Sequence, residues 1–448
     1  MDWRHFEDIL DTFSVRFPNA PLTEHRFVKP LVLITTLFFL WALGVNLNDI
    51  LIPHLKAAFG LSDFQSSFIQ IAFFGGYFIA AFPAGWLVER VGYKRGILAG
   101  LALCATGALL FLPASSLHLY GPFLFALFVM ACGQSFLEVA ANPYVTILGP
   151  QQSAERRLNL AQSFNAVGAV LTPIIGAAFI LTANEYSPTQ LGALTSTQLL
   201  DFRILQARTV RIPYLVIAGI FVAVAVAIYF TKLPEVREQG EPQELNDVPR
   251  GWRRVFAHRQ LVHGVIAQFA YVGAQVGVAS FVIRFAQHMQ PGISTRDAAN
   301  YLKLHLVLFM IGRFLGSAIM KRVAAPRLLA LFAGCAFLCA VVALTTVGLL
   351  PVLALVALGF FHSIMFPTIF ALGIKNLGPY TKRGSSLLVM AIIGGAIFPA
   401  AMGGISDLTN IQKAFIVPLL CYAYVLHFAI AGHRPSSTLQ IKTASVNL

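Results

Sequence analysis

Charged side chains are scarce in this sequence. Asp, Glu, Lys and Arg together make up 11% of the 448 residues, whereas 57% are hydrophobic. Soluble domains carry about 25% charged residues, so this composition excludes a soluble globular protein and predicts an integral membrane protein. The formal charge of +13 does not indicate nucleic-acid binding, because Lys and Arg concentrate in the segments on one side of the predicted membrane, as topology requires.

Signals for metal, disulfide or nucleotide chemistry are also missing. The five cysteines all lie inside apolar runs and none has CxxC spacing, which is typical of small core residues. There is no GxxxxGK[ST] phosphate loop, and the pairs Gly75-Gly76 and Gly394-Gly395 lie within apolar runs. We therefore expect no metal, no cofactor, no ATP-driven pump and no enzyme activity.

Long hydrophobic runs are what the sequence has in abundance. Each is long enough to cross a bilayer, which takes about 20 apolar residues. They predict an all-α membrane protein of twelve transmembrane helices in two six-helix halves, with spans near 30–53, 64–88, 96–113, 121–147, 158–183, 211–231, 261–287, 301–320, 327–346, 350–374, 384–406 and 412–432.

The predicted organisation has five parts, which are an N-terminal segment 1–27, a first half 28–231, a linker 232–260, a second half 261–432 and a tail 433–448. The excess of Lys and Arg on one side predicts that both termini and the linker are cytoplasmic. An internal repeat supports two equivalent halves. Arg157 precedes Gly168 by eleven residues in the fifth span, and Arg383 precedes Gly394 by eleven in the eleventh, a pattern that indicates duplication.

Two carboxylates lie inside predicted spans of the first half. Asp49 follows Asn46 in the first span. In the fourth span, Glu138 lies four residues after Gln134 and four before Asn142. Residues four apart share a helix face, and a carboxylate in lipid costs about 2.5–3.5 kcal/mol on insertion scales. Both should therefore face a cavity; a polar cluster that locks helices together is the alternative.

Further polar stripes predict the walls of that cavity. The fifth span contributes Asn159, Gln162 and Asn165, and the seventh contributes Gln268, Tyr271 and Gln275. Amides and phenols donate and accept hydrogen bonds, which suits a neutral polyhydroxylated ligand. Trp41 lies too deep in its run to be an interface anchor, and its indole could stack on a sugar ring.

Proton chemistry is predicted in the first half. A carboxyl group withdrawn from water is protonated more readily, so Asp49 and Glu138 are candidates for proton coupling, with Na⁺ binding as the alternative. In the second half we expect Arg313, His305 and His362 to be structural, while Arg284 either gates the cavity or snorkels to the interface.

The sequence resembles a known family. The loop 85–95, with Gly85, Glu89, Arg90, Lys94 and Arg95, resembles the loop signature of the major facilitator superfamily, with Glu89 where Asp is usual. Six segments resemble the L-fucose–proton symporters of the fucose/galactose/glucose subgroup, and together they extend over nearly the whole chain: LFFLWALGVNLNDILIP (37–53), LEVAANPYVTILGP (137–150), RLNLAQSFNAVGA (157–169), YVGAQ (271–275), PTIFALGIKNLG (367–378) and GSSLLVMAIIGGA (384–396).

The resemblance implies proton-coupled import of a neutral monosaccharide by alternating access, with the loop 85–95 controlling the conformation. L-fucose is the first candidate; a glucose/galactose transporter coupled to H⁺ or Na⁺ is the alternative, and a non-transporting sugar sensor is a more distant one. Phe366 stands where the family has Tyr, and Ala279 stands where it has an aromatic residue. These two departures leave the identity of the transported sugar open.

The resemblance also places Asp49 and Glu138 in the cavity as the coupling residues. The implied partners are sugar, H⁺ and the bilayer of a bacterial inner membrane, for a monomer. The predicted sugar-binding set is Trp41, Asn46, Gln134, Glu138, Asn142, Gln162, Asn165, Tyr271, Gln275 and Asn376.

Overall fold

The computed structural model describes residues 21–59, 61, 63–117, 119–180, 195, 197–198, 202, 205, 210–234 and 252–434. Within its helices, side chains are described outside 44–45, 47–58, 63–64, 66–67 and 173–180. The twelve principal helical stretches are α1 Val28–Phe59, α2 Asp63–Val91, α3 Tyr93–Leu117, α4 Tyr120–Ile147, α5 Ala154–Ile180, α6 Arg211–Phe230, α7 Arg259–Met289, α8 Thr295–Ile319, α9 Ala325–Thr345, α10 Leu349–Ile374, α11 Gly378–Leu408 and α12 Lys413–Gly432.

These helices confirm the predicted fold class. Eleven stretches among the described residues are long and apolar enough to span a membrane, and α5 supplies the twelfth position between α4 and α6. Proline is tolerated inside several of them, including Pro83 in α2 and Pro143 in α4. In a bilayer the helix is the form that satisfies its own backbone polar groups, and neighbouring helices compensate for the donors that proline lacks.

The repeat seen in the sequence has a physical counterpart. In the first half α5 packs closely on α1, and a Cβ added to Gly168 would lie 2.7 Å from the carbonyl oxygen of Phe39. In the second half α11 packs on α7, and a Cβ added to Gly394 would lie 2.2 Å from the carbonyl oxygen of Phe269. Only glycine permits either approach, so the two glycines perform the same packing role in both halves.

Two helices of the second half are interrupted. The helix α10 consists of the segments Leu349–His362 and Met365–Ile374, and α11 contains a 3-10 turn at Ala391–Ile393. Interrupted helices inside a membrane protein are tolerated where they are buried in protein or line a cavity. Both interruptions lie beside the central cavity described below.

The C-terminal ends of α2, α4, α6, α8 and α10 lie at one end of the bundle, which we call the linker end. The predicted linker is described only in part, and that part includes a short helix, Trp252–Phe256. The Trp252 ring stacks on Phe82 of α2, with ring centroids 5.3 Å apart. The short helix of the linker is therefore docked against the first half.

Candidate functional site

A central cavity of about 470 Å³ lies between the two halves. This volume is within the usual range for small-molecule sites, roughly 300–1,000 Å³. Its polar lining residues are Asn46, Gln70, Tyr77, Glu138, Gln162, Asn165, Gln275, Ser280, His305 and Arg313.

The two walls of the cavity differ in chemistry. The first half supplies amides, the Tyr77 phenol and the Glu138 carboxyl group, together with the aromatic rings of Trp41, Phe73 and Phe74. The second half is largely apolar, and its lining includes Val272, Val276, Ala279, Leu302, Leu306, Phe309, Phe366 and Ile392. A ligand that fits must therefore combine several hydrogen-bonding groups with an apolar face.

Glu138 occupies the centre of the first-half wall. Its side chain is 7% exposed, and Tyr77 donates its hydroxyl toward Glu138 Oε1 at 3.4 Å and toward Gln134 Oε1 at the same distance. The second oxygen, Oε2, is buried without a hydrogen-bond partner among the described residues. A buried carboxyl group with a free oxygen is suited to hold a proton or to accept a ligand hydroxyl.

A hydrogen-bond chain continues from this wall to the second half. Gln162 donates from Nε2 to Asn142 Oδ1 at 3.0 Å. Arg313 of α8 donates from Nη1 to the Gln162 backbone oxygen at 2.7 Å and to its Oε1 at 2.9 Å. Because both ends of the amide are engaged, its orientation is fixed, and the Gln162 side chain joins the halves at the cavity.

The predicted sugar-binding residues fall into three groups. Those that line the cavity are Trp41, Asn46, Glu138, Gln162, Asn165 and Gln275. Gln134, Asn142 and Tyr271 are buried behind it, and Tyr271 donates its hydroxyl to the His362 carbonyl at 2.9 Å. Asn376 lies away from the cavity at the linker end, where its Oδ1 accepts from Gln151 at 2.6 Å. Asn376 is therefore removed from the candidate sugar ligands.

The lining amides of the first half are already oriented by the backbone. Asn46 Nδ2 donates to the Ala42 carbonyl at 2.7 Å, and Asn165 Nδ2 donates to the Phe38 carbonyl at 3.2 Å. One amino hydrogen of each amide is therefore engaged, and the carbonyl oxygen and the second amino hydrogen are left for a ligand. Asp49 is part of α1, but its side chain lies outside the described residues.

Several lining residues were missed or misjudged from the sequence. Arg313 was expected to be structural, yet it both lines the cavity and holds Gln162. His305 also lines it, and Tyr77 was not singled out. The available signal was the spacing of Leu302, His305, Phe309 and Arg313, which share one face of α8.

His362 and Arg284 do not line the cavity. His362 matches the expectation for a core histidine, since it is fully buried and its Nε2 lies 2.6 Å from the Tyr422 hydroxyl. Arg284 is not among the residues that line the cavity, and its guanidinium lies over the Phe281 ring, 4.3 Å from the centroid.

The signature loop meets the second half at the linker end. Arg383 of α11 donates from Nε to Glu89 Oε2 at 2.9 Å and from Nη2 to Glu89 Oε1 at 2.6 Å. Glu89 is thus paired with a basic residue at the start of a helix of the other half. One turn earlier, a Cβ added to Gly85 would lie 2.1 Å from Ser386 Oγ, so α2 and α11 are nearly in backbone contact.

The other basic residues of the loop act within the first half. Lys94 donates from Nζ to the carbonyls of Tyr229 and Thr231 at 2.8 and 2.9 Å, so it caps the C-terminus of α6, where a cation is favourable. The Arg90 guanidinium lies over the Trp86 ring at 4.0 Å, and Arg95 is exposed.

A second set of contacts closes the linker end between α5 and α10. Lys375 Nζ lies 2.7 Å from Glu155 Oε1, and Asn159 Nδ2 donates to Thr368 Oγ1 at 3.1 Å. These contacts lie on the linker side of the cavity, as does the pair of Glu89 and Arg383. Within the described residues, the two halves are therefore joined at the linker end.

Comparisons with known proteins agree with this geometry. The Major Facilitator Superfamily model matches residues 34–401. A glucose/galactose transporter of Brucella abortus is 42% identical over 93% of this chain and 98% of its own length. An L-fucose-proton symporter of Escherichia coli K12 is also 42% identical, over 94% of this chain and 97% of its own length.

Solved structures give the same result. A crystal structure of the transporter FucP in the outward conformation superposes with a TM-score of 0.84 at 42% identity, over 90% of this chain and 98% of that one. A proton:xylose symporter shares only the fold, with a TM-score of 0.67 at 14% identity. The chain belongs to the major facilitator superfamily.

Proposed function

We propose that the chain is a proton-coupled symporter that imports a neutral monosaccharide, with L-fucose as the first candidate. The observation that carries this proposal is the central cavity, whose first-half wall combines Glu138 with oriented amides and aromatic rings. Sugars present hydroxyl groups to amides and C–H faces to aromatic rings. The names of the similar transporters support the same substrate class.

The apolar second-half wall favours L-fucose over D-glucose. L-fucose carries a methyl group at C6 where glucose carries a hydroxymethyl group. A methyl group placed against residues such as Val276, Ala279 and Phe366 leaves no hydroxyl unpaired, and an unpaired buried polar group costs about 1–3 kcal/mol. A glucose/galactose transporter remains the second candidate, because the Brucella relative is as similar as the E. coli symporter.

The proposed roles follow the placement of the residues. Glu138 carries the coupling proton together with Asp49, and Trp41, Asn46, Gln162, Asn165 and Gln275 contact the sugar. Gln134, Asn142 and Tyr271 support them from behind the cavity wall. The loop residues Gly85, Glu89, Arg90, Lys94 and Arg95 regulate the conformation.

The proposed orientation places the linker end and both termini in the cytoplasm of a bacterial cell, since Lys and Arg concentrate on that side. Since the halves are joined at that end, we propose that the cavity opens toward the outside. Alternating access then requires the contacts at Glu89, Glu155 and Arg313 to break as the opposite end closes. We expect the transporter to work as a monomer in the inner membrane.

Counterflow in proteoliposomes tests the substrate. Vesicles loaded with unlabelled L-fucose, D-galactose or D-glucose are diluted into the same labelled sugar at a trace concentration. We expect the largest transient accumulation with L-fucose. Larger accumulation with D-glucose would favour the second candidate, and no counterflow with any of the three would contradict a sugar carrier and leave the sensor.

A further inference from the structure

His305 is the histidine of α8 that faces the central cavity. The side chain is 2% exposed and lines the cavity in a stripe with Leu302, Leu306 and Phe309. Its nearest neighbours on this stripe are apolar, with Arg313 further along the same face, so the imidazole brings a hydrogen-bonding atom to a part of the wall that offers few others.

The ring orientation of His305 is fixed by α10. Nδ1 lies 2.8 Å from the Leu355 carbonyl oxygen. A carbonyl oxygen can only accept, so Nδ1 carries the hydrogen. In the neutral ring, Nε2 is then a hydrogen-bond acceptor, and within the described residues no hydrogen bond engages it.

The backbone of His305 is held as tightly as its ring. A Cβ added to Gly359 of α10 would lie 2.1 Å from the His305 carbonyl oxygen, so α8 and α10 approach each other at the closest distance that glycine allows. The ring centroid lies 5.7 Å from that of His362, in an edge-to-face arrangement. His362 is itself held by Tyr422, so three helices support the position of His305.

We infer that His305 is a sugar ligand contributed by the second half, with Nε2 accepting a hydrogen bond from one ring hydroxyl. The inference rests on the proposed function and deepens it, because it names a polar contact on the apolar wall. A ligand would thus be hydrogen-bonded by both halves at once, by amides of the first half and by His305 of the second. Because the acceptor position is fixed before binding, it discriminates between sugars by whether a hydroxyl points toward it.

Two substitutions separate this role from a structural one. In His305→Asn, the amide nitrogen takes the approximate place of Nδ1 and can still donate to Leu355, but no group remains at the position of Nε2. In His305→Gln, the amide reaches the position of Nε2. His288→Gln of α7 is the control for a histidine substitution, because His288 is exposed and does not line the cavity.

The measurement is calorimetric titration of each purified protein with L-fucose, D-galactose and D-glucose, followed by monodeoxy analogues of whichever sugar binds wild type. We expect His305→Asn to weaken binding by about two- to tenfold, the usual effect of one hydrogen bond. His305→Gln should recover part of the loss, and His288→Gln should bind as wild type does. One deoxy analogue should bind wild type and His305→Asn equally, because its missing hydroxyl is the one that His305 contacts.

Two results would overturn the inference alone. One is unchanged binding by His305→Asn, and the other is a uniform loss across all the analogues, which would indicate a structural effect. If wild type binds none of the three sugars, the proposed function fails and the inference fails with it.

Discussion

At the scale of single residues, the site depends on side chains whose polar groups are already paired before a ligand arrives. Gln162 is the clearest case, since Asn142 and Arg313 hold opposite ends of its amide. Glu138 is the contrasting case, with one oxygen near Tyr77 and the other unpartnered among the described residues. Fixed amides give the cavity its shape, and the free carboxyl oxygen gives it a group whose protonation can change.

The Gln162 amide should contribute to stability as well as to binding. In Gln162→Leu, the side-chain oxygen of Asn142 loses its hydrogen-bond donor. Arg313 Nη1 loses its hydrogen bond to the Gln162 side chain. The expected cost is about 1–3 kcal/mol, seen as a lower melting temperature of the purified protein. Gln70→Leu is the matched control, because Gln70 also lines the cavity but makes no hydrogen bond within the described residues. Equal melting temperatures for the two variants would contradict this reading of Gln162.

The sequence predicted residues of this site where polarity repeats along a helix. The spacing of Gln134, Glu138 and Asn142 gave the correct shared face, although only Glu138 reaches the cavity. Arg313 was misjudged because a single cation in a helix carries no periodic signal, and its role depends on a contact with α5. Asn376 was included in the sugar-binding set without a polar stripe to support it, and it lies at the linker end beside Gln151.

At the scale of helices, the closed linker end depends on α2 and α11. Gly85 permits the backbones to approach, and Glu89 and Arg383 form a two-bond ion pair one turn later. The predicted helices and the repeat were recoverable from sequence because apolar length and glycine spacing are local signals. The pairing of α2 with α11 was only partly recoverable, since it depends on how the halves are oriented.

Adding a methyl group at Gly85 should open the linker end. In Gly85→Ala the new Cβ would overlap Ser386 Oγ and lie 3.0 Å from Ser386 Cβ and 3.3 Å from the Lys382 carbonyl oxygen. Rotation of the Ser386 hydroxyl relieves only the first of these contacts, so we expect the helices to separate. Spin labels at the exposed positions Arg95 and Arg322 should report a longer distance by electron–electron double resonance. Gly75→Ala is the control within the same helix, because nothing lies within 4 Å of its added Cβ. Adding Ser386→Gly should restore the short distance, and an unchanged distance in Gly85→Ala itself would contradict the role of this contact.

Removing the Glu89 carboxylate should act on conformation more than on affinity. The Glu89–Arg383 pair is partly buried, with side chains 20% and 10% exposed, so its loss costs at most about 3–5 kcal/mol, the cost for a fully buried pair. That upper bound is a large part of the ~5.5 kcal/mol that inverts a two-state equilibrium. We therefore expect Glu89→Ala to populate the state with an open linker end and to slow turnover more than it weakens sugar binding. Turnover in proteoliposomes and sugar affinity in detergent are compared for each protein.

The charge-swapped pair Glu89→Arg with Arg383→Glu serves as the control for Glu89. It should recover much of the turnover, because it restores opposite charges at the same two positions. Parallel losses of turnover and affinity in Glu89→Ala would show instead that Glu89 matters for the folded state as a whole.

At the scale of the whole molecule, two repeated halves enclose one asymmetric cavity. Gly168 and Gly394 show that the halves share a packing plan, yet the first half supplies the carboxyl group and most amides, and the second supplies apolar surface and two interrupted helices. Under the proposed function, this division favours the first half as the place of proton coupling. It also explains how one cavity can hold a ligand that is polar on one face and apolar on the other.

The central claim is that Glu138 couples proton and sugar movement. Glu138→Gln keeps the shape and the hydrogen-bonding ability of the side chain but fixes it in the neutral state. Sugar exchange moves no net proton, so the variant should exchange sugar across the membrane. Uphill accumulation needs the proton to be released, so the variant should only equalise sugar concentrations on the two sides.

The most direct measurement is paired, with counterflow and uptake driven by a proton gradient recorded in the same proteoliposome preparation for wild type and for Glu138→Gln. We predict that wild type performs both and that Glu138→Gln performs counterflow only. If Glu138→Gln accumulates sugar against its gradient as wild type does, Glu138 is not the coupling site and the account is wrong.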